Sequence, residues 1–110
     1  MKKECYIYFL TNQHHTVLYI GVTNDVVRRV VEHKAGINQK SFTFQYNCDK
    51  HVYYEAYTQP KEAIAREKQL KNWKREWKDE LIKGFNPQWE DLSREIGITP
   101  EMVESLRKDR

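Results

Sequence analysis

Short apolar runs rich in aromatic residues alternate with polar turns over the first half of the chain; helical spacing takes over in the second. Cys5-Tyr6-Ile7-Tyr8-Phe9-Leu10 concentrates aromatic and β-branched side chains, which suit a half-buried pleated surface, and is expected to be a strand. Thr11 to Thr16 is polar and turn-like, and Val17-Leu18-Tyr19-Ile20-Gly21-Val22 is a second strand, so the two are expected to form a hairpin. His14-His15 in that turn is expected to be a solvated loop. A helix follows, with Thr23 or Asn24 as N-cap, Asp25 at its positive end and Gly36 as the left-handed closing residue. Its stripe of Val26, Val27, Val30 and Val31 is stiff at χ1 and poor at making helix alone, so this helix depends on its core contact. Residues 37–50 are expected to be irregular. Residues 51–57 (His51-Val52-Tyr53-Tyr54-Glu55-Ala56-Tyr57) form a third strand, and Pro60 opens one long helix to about Lys83, closed by Gly84. Two short helices, 87–96 and 100–108, are expected after Pro87 and Pro100. The order β-β-α-β-α-α-α predicts an α+β domain: a small three-stranded antiparallel sheet flanked by helices, with a helical C-terminal tail.

At 110 residues the chain is the size of one domain with one modest core. Its 13% aromatic and 39% hydrophobic content is too high for a disordered chain. No apolar run approaches the ~20 residues needed to cross a bilayer, and no apolar stretch follows Met1-Lys2-Lys3, so neither a membrane span nor a secretory signal is expected. Cys5 and Cys48 lack the spacing of a zinc site and are expected to be reduced thiols in a cytoplasmic protein. A net charge of +3 says little about partners unless the cations gather on one face.

Candidate chemistry begins with a carboxylate on an apolar stripe. At ~100° per residue, Glu67 falls about 40° from Ala63, among Leu70, Trp77 and Leu81. A carboxylate there needs a cation, an ion pair or a cleft, because its desolvation costs several kcal/mol. Glu62, Glu76, Asp79 and Glu80 lie off the stripe and read as solvated. On the first helix Arg29 and His33 sit one turn apart at the valine stripe's edge, positioned either as an amphipathic boundary or to project into a neighbouring cleft. Arg28 and Glu32 form a surface pair worth only ~0.3–0.5 kcal/mol. Tyr8 and Tyr19 occupy the two hairpin strands, where packing is the ordinary role.

Tyr6-Ile7-Tyr8, then Tyr19-Ile20-Gly21 ten residues on, resembles the paired tripeptides of the GIY-YIG nucleases, with Tyr6 where the name-giving motif has glycine. Residues 19–33 resemble that family's strand-then-helix motif, with Arg29 and His33 at its arginine and histidine positions. Arg66-Glu67-Lys68-Gln69-Leu70-Lys71 resembles the stretch around its metal-binding glutamate, and Phe85-Asn86-Pro87-Gln88-Trp89 resembles the NPxW ending of its small, stand-alone bacterial subfamily. The resemblance implies an endonuclease that hydrolyses phosphodiester bonds in DNA, in repair or recombination. Residues 1–92 would be the nuclease domain and 93–110 its helical extension. It implies catalytic roles for Tyr8, Tyr19, Arg29 and His33, one Mg²⁺ or Mn²⁺ on Glu67, and a motif role for Gly21. Arg28, Lys34, Lys40 and Lys71 are the expected nucleic-acid contacts. No membrane and no obligate protein partner are expected, and the chain would act as a monomer or weak dimer.

Rival readings remain open at this point. One is a binding module that keeps the fold and does not cut. Residues 92–106 also resemble a helix-turn-helix, but Glu101 and Glu104 on its second helix would repel phosphates, so a helical hairpin capping the core is expected instead. Trp73 and Trp77, one turn apart, are expected in the core rather than at an interface.

Overall fold

A computed structural model describes residues 5–108. Three strands, β1 (Cys5–Thr11), β2 (Leu18–Thr23) and β3 (Lys50–Tyr57), form one antiparallel sheet in the order β2-β1-β3. The helices are α1 (Val26–Ala35), α2 (Phe42–Gln45), α3 (Pro60–Asn72), α4 (Arg75–Phe85) and α5 (Pro100–Lys108). The architecture is the expected α+β sheet with flanking helices.

Strand alternation divides the core in two. Ile7, Phe9 and Ile20 pack with Val52, Ala63, Leu70 and Ile82 on the face covered by α3 and α4. Tyr8 and Leu10 pack with Val26, Val30, Val31 and Ile98 on the face covered by α1. A β-bulge interrupts the second ladder: Phe9 pairs with Tyr53 and Leu10 with His51, skipping Val52. With one extra residue on β3, the consecutive Val52 and Tyr53 both enter the α3-side core.

Helix α1 begins one residue later than expected. Asp25 is the N-cap, accepting from the Arg28 amide, because Thr23 Oγ1 is taken up by the Asp25 amide. Gly36 closes α1 at φ 67°, as expected. The loop at 37–50 holds one short helix, α2, capped by Ser41 Oγ on the Phe44 amide.

The single long helix expected over 60–83 is two helices. Trp73 and Lys74 are extended, with ψ near 150° at both. Trp73 turns into the α3-side core with Arg66 stacked 5.0 Å above its ring. Arg75 then reaches the β1–β2 loop, donating to the His15 and Thr16 carbonyls and to Asp79. Trp77, expected in the core, is 51% exposed.

The helix expected over 87–96 is also absent; turns replace it. Buried Asn86 donates from Nδ2 to the Val52 and Glu90 carbonyls and accepts from the Glu90 amide. Asp91 Oδ1 accepts from the His51 and Ser93 amides. Such side-chain bonds give the backbone an alternative to helix. The tail therefore supplies one helix, not a hairpin: Val103 and Leu106 of α5 pack onto the α1-side core, and Arg107 donates to the Lys34 carbonyl. Cys5 and Cys48 are free and buried. Among the described residues no helix is long and apolar enough to cross a membrane.

Candidate active site

The site is built where β1, β2, α1 and α2 meet. Register pairs Tyr8 with Gly21 across the hairpin, and the Tyr8 ring lies over that glycine. A Cβ at Gly21 would stand 2.5 Å from the Tyr8 ring and hydroxyl, so only glycine fits. The Tyr8 hydroxyl meets His33 Nε2 at 3.0 Å, and His33 Nδ1 meets Thr43 Oγ1 at 2.8 Å. Thr43 Oγ1 in turn lies 3.2 Å from Ser41 Oγ. Ring nitrogens and hydroxyls alternate along this chain, so when Tyr8 donates to Nε2, Nδ1–H donates to Thr43.

Tyr19 lies beside this pair, 6.1 Å from the Tyr8 ring and 5.5 Å from the His33 ring. One turn before His33, Arg29 donates from Nη1 to Glu32 Oε1 at 2.8 Å. A cleft of about 440 Å³ opens here, lined by Tyr19, Arg29, Glu32, His33, Ser41 and Phe42 among others.

Burial sets the protonation states. Desolvation pushes the Tyr8 phenol upward, with Tyr19 adding to it and Arg29 opposing, so Tyr8 is neutral near pH 7. Desolvation, reinforced by Arg29, pushes His33 down to about 4, so it too is neutral. For Arg29 burial acts to lower the pKa, but Tyr8 and Glu32 outweigh it and the guanidinium is held charged. Four predicted residues thus gather: Tyr8, Tyr19, Arg29 and His33, with Gly21 beneath them.

Glu67 lies on α3 and is not among the residues that line the cleft. Its side chain is 19% exposed, with the carboxylate 3.5 Å from Lys71 rather than paired to an arginine. Among the described residues no three His, Cys, Asp or Glu side chains gather into a metal cage. This donor set fits only a hard cation that keeps most of its own water, of which Mg²⁺ and Mn²⁺ are examples. Neighbouring Arg66 fixes the rotation of α3. It pairs with both Glu55 oxygens at 3.1 Å while Tyr53 and Tyr57 donate to the same carboxylate.

The expected nucleic-acid contacts are scattered. Arg28 is exposed and 3.4 Å from Glu32, and Lys71 extends beside Glu67. Lys40 is exposed just before α2. Lys34 is 18% exposed and donates to Asp91 and to the Asp49 carbonyl, tying α1 to the C-terminal segment. His15 is no simple solvated loop residue: it stacks on Trp89 and accepts from Lys50.

Sequence reasoning missed Thr43, Ser41 and Glu32 as site residues. Glu32 was legible only as a partner of Arg28, and the serine and threonine lie in a segment without periodicity.

The sequence matches the GIY-YIG catalytic domain over residues 4–80, which spans the sheet, α1 to α3 and part of α4; the chain belongs to the GIY-YIG family and has its nuclease-type fold. Within that family it is similar to UPF0213 proteins. One from Haloquadratum walsbyi is 39% identical over 64 residues, covering 58% of this chain and 71% of that one. Another, from Bacillus pumilus, is 29% identical over 82 residues, covering 74% and 83%. No solved structure matches the chain.

Proposed function

We propose that the protein is a metal-dependent endonuclease hydrolysing phosphodiester bonds in DNA, with residues 1–92 as the catalytic unit and 93–110 as its helical extension. It would act in the cytoplasm, in repair or recombination, without an obligate protein partner. The observation that carries this reading is the convergence of Tyr19, Arg29 and His33 at one cleft, with buried Tyr8 of a third element bonded to His33 behind them.

Arg29 offers a fork of N–H donors to a non-bridging phosphate oxygen, with Glu32 steadying one arm. Neutral Tyr8, with Tyr19 beside it, orients the attacking water. A phenol raised above its usual range is a poor base by itself. Its proton leaves toward His33 Nε2 as it takes one from water, and Thr43 supports the far ring nitrogen. Arg29 disfavours a proton on His33; a phosphate bound to Arg29 offsets that charge and makes His33 a better acceptor. Glu67 would hold the single Mg²⁺ or Mn²⁺, displacing Lys71, whose side chain is 53% exposed. When bound, that ion supplies charge stabilisation at the phosphate or the leaving oxygen.

The test incubates labelled single-stranded, duplex and branched DNA, and RNA, with Mg²⁺, Mn²⁺ or chelator. Cutting that needs metal and is lost in Arg29→Ala and Glu67→Ala supports the nuclease. Mn²⁺ binding followed by electron paramagnetic resonance should weaken in Glu67→Ala alone. The second reading, a non-cleaving nucleic-acid-binding module, is favoured by the absence of Glu67 from the cleft lining. Binding without cutting, unchanged in both variants, would establish it.

A further inference from the structure

Beside the cleft, the segment from Phe42 to Tyr46 exposes three aromatic rings within five residues: Phe42 at 45%, Phe44 at 41% and Tyr46 at 50%. The sequence offers no charge there, although phosphates would pass close by. Nor are these rings a loose fringe. Phe42 stacks on Tyr19 at 6.2 Å and 29°, and Tyr46 lies 4.6 Å from Phe42. A continuous run of rings therefore leads from buried Tyr8 through Tyr19 and Phe42 to solvent at Tyr46.

The platform is anchored to the catalytic residues. Thr43, between the two phenylalanines, is buried and bonded to His33 Nδ1. The Phe44 ring packs over Gly36, where a Cβ would come within 3.0 Å of it. Asn38 and Ser41 line the same cleft as Phe42, and Ser41 Oγ caps the short helix that carries the rings.

We infer that Phe42 and Tyr46, continuous with Tyr19, form a stacking subsite for an unpaired nucleobase next to the scissile phosphate, so that the preferred substrate is single-stranded nucleic acid. This rests on the nuclease reading for the position of the phosphate at Arg29. Bases in a duplex are already stacked and hide their faces; only an unpaired base can cover exposed rings beside a phosphate site. Charge supports the same occupant. A strand meeting Arg29 and Lys40 alone has a salt slope of only about −1.4, too shallow for binding by phosphate contacts alone. Stacking supplies what the cations do not.

The experiment measures anisotropy of fluorescein-labelled oligothymidylate, a hairpin duplex and an abasic sugar-phosphate oligomer, in chelator, with cutting assayed separately in Mn²⁺. Wild type is expected to prefer oligothymidylate over both other probes. Phe42→Ala and Phe42→Leu should weaken that binding by about 5- to 150-fold, while Phe42→Trp retains it and none changes duplex binding. Thermal unfolding identifies any variant that fails to fold, and Tyr46→Ala provides an independent loss at the outer ring. Equal affinity for the abasic oligomer, a duplex preference, or full binding by Phe42→Leu would overturn the subsite. Base-dependent binding without cutting would leave the subsite standing and defeat the nuclease. Cutting of duplex indifferent to Phe42 would do the reverse.

Discussion

On the α3 side of the sheet Ile7, Phe9, Leu70 and Ile82 are sealed from water in an apolar cluster. On the α1 side Tyr8, between Ile7 and Phe9 in sequence, enters a chain of polar contacts through His33 to Thr43. The same strand builds both faces, and a one-residue change of register would exchange them. One face stores stability; the other holds polar groups at shifted pKa values where apolar packing would have been cheaper. Sites of reaction are found where a core departs from the simplest way of being stable.

The comparison is broken most forcefully on the apolar side. Phe9→Ala should cost about 3–5 kcal/mol by urea unfolding, with cleavage per folded molecule little changed. Arg29→Ala should behave oppositely, with cleavage reduced ~10²–10³-fold and stability within about 1 kcal/mol of wild type, because its pair with Glu32 is partly exposed.

Acid tests the buried polar groups of the α1 side. His51 is wholly buried beside Tyr54, and desolvation depresses its pKa to about 4 against the partial opposition of Asp91 and the Tyr53 backbone. The folded value lies below the unfolded value of about 6.5, so the unfolded state binds more protons between them. Stability should therefore fall as pH drops from 6.5 toward 4, by about 3 kcal/mol from His51. His33 adds to the same limb, and Asp91, held low despite burial by Lys34, extends it at lower pH, as does Glu55 on the α3 side, held low by Arg66. In His51→Leu the upper part of this slope should flatten. A smaller loss of stability than at Phe9 is expected from Gly21→Ala, about 1–3 kcal/mol from overpacking against Tyr8. Its cutting should fall much further than its stability, because the Tyr8 hydroxyl is displaced.

The strands, α1 and its closing glycine were legible because alternation, the valine stripe and Gly36 all agree locally. Tyr8, Tyr19, Arg29 and His33 were legible through their joint spacing. The α1 cap was ambiguous by one residue because Thr23, Asn24 and Asp25 all suit the position. The break between α3 and α4 left no mark, since neither glycine nor proline stands there. Its causes are tertiary: Trp73 entering the core under Arg66 and Arg75 reaching the hairpin loop. That break also undercuts the helical wheel that picked out Glu67, which counted Trp77 and Leu81 in one continuous phase. Four-residue α2 is too short to show a period, so Thr43 could not be assigned to the site from sequence.

The central claim, that the phosphate-binding and proton-transferring side chains belong to the α1 face and the stabilising apolar cluster to the α3 face, meets its most direct test in one measurement. It is the cleavage rate per folded molecule of Arg29→Ala and Phe9→Ala, both measured with Mn²⁺ on the best-cut wild-type substrate. The expected result is a rate reduced at least about 100-fold in Arg29→Ala and near wild type in the folded fraction of Phe9→Ala. Equal losses in both variants, or full activity in Arg29→Ala, would contradict it.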